Sequence, residues 1–308
     1  MNDTPQRPLR NRSQKVGLFL GPVLFLAVIL FLDLAPGNPL PTRMAAVAVL
    51  MATWWITDAI PLVATSLLPM VLYPLLGILA GKATAPLYVN STIFLFLGGF
   101  LIALAMEKWN LHRRIALFII RRVGGGPSRL VLGFMIAAAF LSMWISNTAT
   151  AIMMVPIGMA LVLQMEARFG RRDTHGFTLG LRLGIAYACS LGGMATLVGT
   201  PPNLAFARIY EISFPEAEPI AFGTWFTMGL PLAAVMLAVV WVLLTRVLIR
   251  VPGHLTVDRA VVEQEYKELG PPTAEEKAVM VVFSLTALLW VFRTSLQLGS
   301  VTIPGWSQ

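Results

Sequence analysis

Stretches of 15 to 28 apolar residues recur along most of the chain, divided by short polar or basic turns. About 20 apolar residues cross a ~30 Å hydrocarbon core as a helix, so the pattern predicts a series of membrane spans. A polar, basic tail covers residues 1–15, with Arg7, Arg10, Arg12 and Lys15. The first span follows at 16–34. No small-residue cleavage site succeeds it, so it is expected to stay in the mature chain. A Pro/Gly/Asn turn at 36–41 leads to a second apolar run at 44–56 and a third at 61–80. The fourth begins near Thr92 and is predicted to continue as one long helix to Arg122. Its last part turns amphipathic through Glu107, Lys108, Arg113 and Arg114. Together these first membrane helices occupy 16–120.

Two later runs depart from a plain span. Residues 129–166 are apolar except for Ser146-Asn147-Thr148-Ala149-Thr150 near the middle. Each arm then has roughly 15–17 residues, about 23–25 Å at 1.5 Å per residue, which is short of the ~30 Å core. That predicts a re-entrant helical hairpin with a polar tip; two tightly joined short spans are the alternative. The run at 182–210 is interrupted by Gly192-Gly193 and by Gly199-Thr200-Pro201-Pro202-Asn203. Adjacent prolines remove two helix donors, so a broken helix is predicted. Lipid tolerates one only where the freed backbone lines a cavity in the protein. A span at 222–250, a polar linker at 251–277 and a final segment at 278–308 that opens with another span complete the order.

The composition excludes the soluble alternatives. The chain is 57% hydrophobic and 12% charged, with mean hydropathy +0.76, against about 25% charged residues in a soluble domain. An all-α polytopic membrane protein is expected. The formal charge of +8 is explained by topology. With the N-terminus in the cytoplasm and the spans alternating, nineteen of the 23 Lys and Arg fall on the cytoplasmic side. Outside are Arg43, Lys82, Arg208 and Arg293, together with Glu211, Glu216 and Glu218. This is the positive-inside distribution, not a nucleic-acid footprint. The single Cys189 excludes an internal disulfide. His112, His175 and His254 are too scattered for a metal site and read as loop or interface residues.

Candidate chemistry gathers at the two interruptions. Ser146-Asn147-Thr148 offers hydroxyl and amide oxygens to a cation, and an amide NH2 and hydroxyls to an anion. The helix that starts there presents free backbone N–H groups and a positive dipole end, which suits a carboxylate. Ser142, four residues before Ser146, adds an oxygen on the same face. At the second break, unwound carbonyls around Gly199 and Thr200, flanked by Thr196 and Asn203, fit the way discontinuous helices coordinate sodium. It is not a phosphate loop, because no Gly-Lys-Ser/Thr follows and no strand precedes it. Asp58 is either an intramembrane functional carboxylate or, as preferred, a cap of the helix entered at Pro61. Glu107 is expected to pair with a nearby Arg or Lys. No Ser/His/Asp set, HExxH or paired carboxylate lies in an apolar segment, which favours moving a solute over transforming one.

At these residues the chain resembles the divalent anion:sodium symporter (DASS) family of di- and tricarboxylate carriers. The likeness rests on Trp54-Trp55-Ile56-Thr57-Asp58-Ala59-Ile60-Pro61-Leu62, on Ile93-Phe94-Leu95-Phe96-Leu97-Gly98-Gly99-Phe100-Leu101, on Ser146-Asn147-Thr148 and on Gly199-Thr200-Pro201-Pro202-Asn203. It covers most of 44–295. The resemblance implies an inverted-repeat, elevator-type carrier, usually a homodimer in the bilayer, with a hairpin tip and a broken helix in each repeat. It places one substrate carboxylate on Ser146, Asn147 and Thr148, and coupling Na+ among Ser142, Ser146, Asn147, Gly199, Thr200 and Asn203. Asp58 stands where the family more often has Glu. Ser-Asn-Thr occurs once, and the chain stops at Gln308. It therefore reads as a first repeat plus the start of a second, a C-terminally truncated form.

The expected function is Na+-coupled symport of dicarboxylates of the succinate, malate or fumarate type, or related divalent anions, across an inner membrane. Sodium-independent exchange of di- or tricarboxylates is the nearest alternative, and sulfate is a further substrate class. A non-transporting membrane enzyme or assembly subunit is the distant one. Broken helices with a dead-end hairpin suit alternating access better than a channel.

Overall fold

Proline and glycine cut the early apolar runs into shorter helices than their length suggests. The computed structural model describes residues 11–123, 125–249, 251, 260–298 and 301–307. The tail up to Arg10, Gly124, and the linker positions Arg250, His254 and Arg259 lie outside the described residues. The chain forms two units, Met1–Ile93 and Phe94–Gln308.

In the first unit α1 (Arg12–Phe31) and α2 (Leu40–Thr57) lie antiparallel. Gly17 and Gly21 permit the close approach: a methyl on either would run into Thr57 or Trp54. The Trp54 indole N–H donates to the Gly17 carbonyl at 3.1 Å. Small residues at the seam are the usual means of packing helices where lipid removes the hydrophobic drive. The run predicted as one span at 61–80 is divided into α3 (Leu62–Ser66) and α4 (Leu68–Leu75), followed by α5 (Gly81–Tyr88). Pro69 and Pro74 each withhold a donor from the ladder, and Gly77 turns the chain at φ 64. Arg43 reaches across to the freed Leu76 carbonyl at 2.6 Å.

Asp58 does not cap the next helix, contrary to the preferred expectation. It closes α2 in a left-handed conformation, φ 51. Pro61 holds the N-cap position of α3, too far along the chain for Asp58 to reach the free donors. The Asp58 carboxylate accepts instead from the Gln14 side-chain amide at 3.3 Å.

The second unit is entered within α6 (Ser91–Lys108). The single long helix expected to Arg122 is two helices, because Asn110 sits at φ 56 and breaks the ladder before α7 (Leu111–Val123). Asn is among the few residues that adopt this conformation routinely. His112, read as a loop or interface residue, is buried within α7. Its Nδ1 donates to the Met106 carbonyl at 3.0 Å, since a carbonyl can only accept. The break also takes Arg113 and Arg114 off the helical face of Glu107. Glu107 is exposed and belongs to none of the ion pairs among the described residues.

At the centre is α8 (Pro127–Ser142), most of whose side chains are buried. Gly133 brings it against the backbone of α7 at Ile120, and Met135 packs on Gly184. α9 (Asn147–Phe169) follows; its 23 residues exceed the roughly 15–17 read for that arm and are enough to cross a membrane. Gly170 alone, φ 84, joins it to α10 (Arg171–Met194). Residues 171–181, ahead of the apolar run read from 182, are therefore helical as well. Thr174, Phe177, Leu181 and Ile185 recur at helical spacing and are buried. Next come α11 (Pro201–Ser213) and α12 (Phe222–Val242), which continues as a π-helical turn over Leu243–Leu248. The polar linker contains α13 (Ala260–Glu268). α14 (Ala274–Val291) starts with a reciprocal cap between Thr273 and Glu276. The helical fold has one exception among the described residues: β1 (Leu296–Leu298) pairs antiparallel with β2 (Val301–Ile303), Leu296 opposite Ile303. Among the described residues five helical stretches are long and apolar enough to cross a membrane: Arg12–Phe31, Gly81–Lys108, Asn147–Phe169, Arg171–Met194 and Phe222–Leu248.

Candidate functional site

The Ser-Asn-Thr segment forms a polar turn that ends one helix and caps the next. α8 stops at Ser142 and α9 starts at Asn147. Ser146 is the N-cap residue, its Oγ accepting from the Ala149 N–H at 3.2 Å. The N–H groups of Asn147 and Thr148 precede the first intrahelical bonds, so they form the positive end of α9. Inside the turn the buried Ser142 hydroxyl donates to Asn147 Oδ1 at 2.6 Å. Ser146 and Thr148 are exposed and Asn147 is half-buried.

The second break faces this turn. α10 ends at Met194 and α11 begins at Pro201. Gly192 presses on the backbone of Ala139, and Gly193 lies against the Asn147 amide. A Cβ on Gly199 would stand 2.6 Å from the Gly193 carbonyl and 3.0 Å from that of Ser142. Thr196, fully buried, donates to the Met143 carbonyl at 2.5 Å and accepts from the Gly199 N–H at 3.0 Å. Asn203 uses its amide NH2 to hold the Gly193 and Thr196 carbonyls at 2.9 and 2.7 Å. The Trp225 indole takes the Met194 carbonyl at 2.9 Å. Buried carbonyls freed by the break are thus satisfied by side chains, as a nonaqueous setting demands.

The two breaks differ chemically. α9 opens with backbone donors, whereas Pro201 and Pro202 occupy the first two positions of α11 and supply none. Around Ser142, Asn147 and Gly199 the available ligands are a hydroxyl, an amide oxygen and carbonyls, with no cationic side chain in the set. An oxygen-only arrangement of this kind fits Na+, while the N–H end of α9 fits a carboxylate.

Of the residues proposed from sequence, Ser142, Asn147 and Gly199 are brought together directly, and Asn203 joins them through the Gly193 carbonyl. Ser146 shapes the tip. Thr148 and Thr200 make none of these contacts; Thr200 is the half-buried N-cap position of α11. Sequence reasoning did not foresee Gly193 as the surface under Asn147 or Thr196 as the tie to the hairpin. It also passed over Thr150, buried one turn beyond Asn147 with Oγ1 unpartnered among the described residues. Helical spacing from Asn147 was the signal for Thr150. Gly192→Ala is expected to lower stability by about 1–3 kcal/mol, since its methyl would meet backbone. A melting curve in detergent checks this, and an unchanged midpoint would mean that the α8–α10 contact yields freely.

The family model described as "Citrate transporter" matches residues 52–304. The chain belongs to the citrate transporter family. Among its relatives are the sodium-dependent dicarboxylate transporters SdcS of Staphylococcus aureus strains NCTC 8325 / PS 47 and COL. Each is 42% identical over 293 residues, covering 91% of this chain and 55% of the relative. The chain thus spans about half the length of the curated relatives it matches. The resemblance to divalent anion:sodium symporters seen in its motifs agrees with this membership. Its apolar helices make the family member an integral, multi-pass membrane protein.

Proposed function

We propose that the chain forms the first repeat and the start of the second of a sodium-coupled dicarboxylate symporter. On this reading it works by an elevator motion, as a homodimer in a bacterial-type inner membrane, with its N-terminus in the cytoplasm. The observation that carries it is the junction of hairpin tip and broken helix, where the Ser142–Asn147 hydrogen bond lies against Gly193 and Gly199. Membership of the citrate transporter family and the likeness to sodium-dependent dicarboxylate transporters support the substrate class and the ion. The dimer and the elevator motion rest on the family resemblance alone.

Asn147 is central to the mechanism because its amide has two ends. Oδ1, with Ser142 Oγ and the carbonyls near Gly199, takes Na+; Thr200 and Asn203 complete that side. The amide NH2, the Ser146 and Thr148 hydroxyls and the N–H end of α9 take one substrate carboxylate. Na+ on Oδ1 fixes the amide plane, so its NH2 is already aimed when the dianion arrives. Ordering by the first ligand removes a cost from binding the second, which is positive coupling without direct contact.

Succinate uptake into proteoliposomes, with and without an inward sodium gradient, tests this. The chain is to be assayed alone and joined to the part of the S. aureus carrier that it does not match. Sodium-stimulated uptake by the joined form is expected. Sodium-independent uptake that requires internal dicarboxylate would replace symport by exchange. No flux of succinate, citrate or sulfate would overturn the transport reading.

A further inference from the structure

A second polar–apolar junction lies in a hollow of about 280 Å³ between α7, α9 and α13. Its walls are Met153, Met154, Ile157 and Ala160 of α9 with Leu141 of α8. Its rim carries His112 and Arg113 of α7 and Glu265 of α13. Pro156 lies in the α9 wall, where it withholds one N–H and loosens the ladder beside the hollow. We propose that this hollow binds an amphiphile with a single anionic head and a short saturated chain, the head taking the place of Glu265 on Arg113.

The rim already shows which charge it accepts. The Arg113 guanidinium holds the Glu265 carboxylate, delivered from 152 positions along the chain. A ligand carboxylate or phosphate can make the same charge-assisted contact. Exchange is feasible because this pair is 40% and 28% exposed, whereas the neighbouring Arg114–Glu276 pair is 7% and 5% exposed. Losing Glu265 does not free α13 either. Arg121 still pairs with Glu263 at 3.4 Å and covers the Tyr266 ring at 4.5 Å. The whole hollow, at about 280 Å³, is just below the ~300–1,000 Å³ usual for ligand pockets, so the chain it takes is short. Two methionines let the wall adapt to chains of different shape. Along the α9 wall the apolar lining holds water poorly, so little is lost when a chain replaces it there.

A free fatty carboxylate and one chain of an anionic phospholipid share this chemistry. The test photo-crosslinks diazirine-bearing decanoate to the full chain in maltoside detergent and maps the labelled peptides. Labelling is expected within α9 around Met153 to Ala160, reduced at least tenfold by Arg113→Gln and by Ala160→Phe. Glu265→Gln removes the internal competitor without filling the hollow, and is expected to raise affinity several-fold. That opposite sign separates an anion seat from a merely structural pair, which both changes at the rim would weaken alike. Competition by unlabelled decanoate alone assigns a free acid, and competition by phosphatidylglycerol vesicles as well assigns a lipid; both support the site. Labelling that neither displaces, or that is unchanged or weaker in Glu265→Gln, overturns it.

Discussion

Arg114→Ala is expected to cost about 3–5 kcal/mol of stability, because it leaves a buried carboxylate without its partner. Arg114 spends its whole fork within one knot. Nε and Nη2 donate to the two Glu276 oxygens at 3.2 and 3.0 Å, Nη1 to the Gly270 carbonyl at 3.0 Å and Nη2 also to Leu269 at 3.2 Å. Glu276 in turn accepts from the Thr273 N–H at 2.9 Å, so the same carboxylate starts α14. The loss should appear as early unfolding in graded denaturing detergent. Arg114→Met with Glu276→Met should recover most of it, since replacing both charges removes the unpaired ion. A cost of under about 1 kcal/mol for the single change would equal that of an exposed pair such as Arg208–Glu211. It would mean that water reaches the knot.

Asn147→Ala is expected to weaken sodium and dicarboxylate binding together, each by about ten- to a hundredfold. The basis is the ~1.5–3 kcal/mol of a hydrogen bond or oxygen contact to a charged group. Ser142→Ala should act mainly on sodium, because Ser142 is buried behind the amide. Thr148→Ala should act mainly on the dianion, because Thr148 is exposed in the first turn of α9. Isothermal titration of each ligand in the joined carrier reads the three patterns. Unchanged affinities for both ligands in Asn147→Ala would remove Asn147 from the site.

The two breaks were legible in the sequence because each sets polar or proline residues inside an apolar run, where their cost to a helix is local. Asn110 carries no such signal: one polar residue beside a basic stretch reads as the wet end of a helix, and only φ 56 shows the break. Residues 171–181 misled for the opposite reason. Arg171, Arg172 and Asp173 keep this stretch out of the apolar run read from 182, while Thr174, Phe177 and Leu181 already have the spacing of a buried face. Glu107 was assigned a partner by proximity in sequence, but Arg113, Arg114 and Arg121 of α7 pair with carboxylates 142 to 162 positions away. Ionic pairs of that separation leave no local trace. Within the candidate site, polar side chains could be proposed from residue type, whereas Gly193 under Asn147 depends on how α10 crosses α8 and α9. That crossing is set by backbone contact at Gly192.

A single residue, Gly170, is all that separates the hairpin arm from the first half of the broken helix. Such a joint has no slack: it fixes a corner without letting either helix slide along the other. At the opposite ends of the same two helices the Thr196 hydroxyl on the Met143 carbonyl and Gly192 on the Ala139 backbone tie the sides together, so a displacement of the tip that bears Asn147 drags Gly193 and Thr196 with it. In a carrier, the ion and the anion would then travel as one parcel. Leakage of one without the other would first require local unfolding, not just a looser grip.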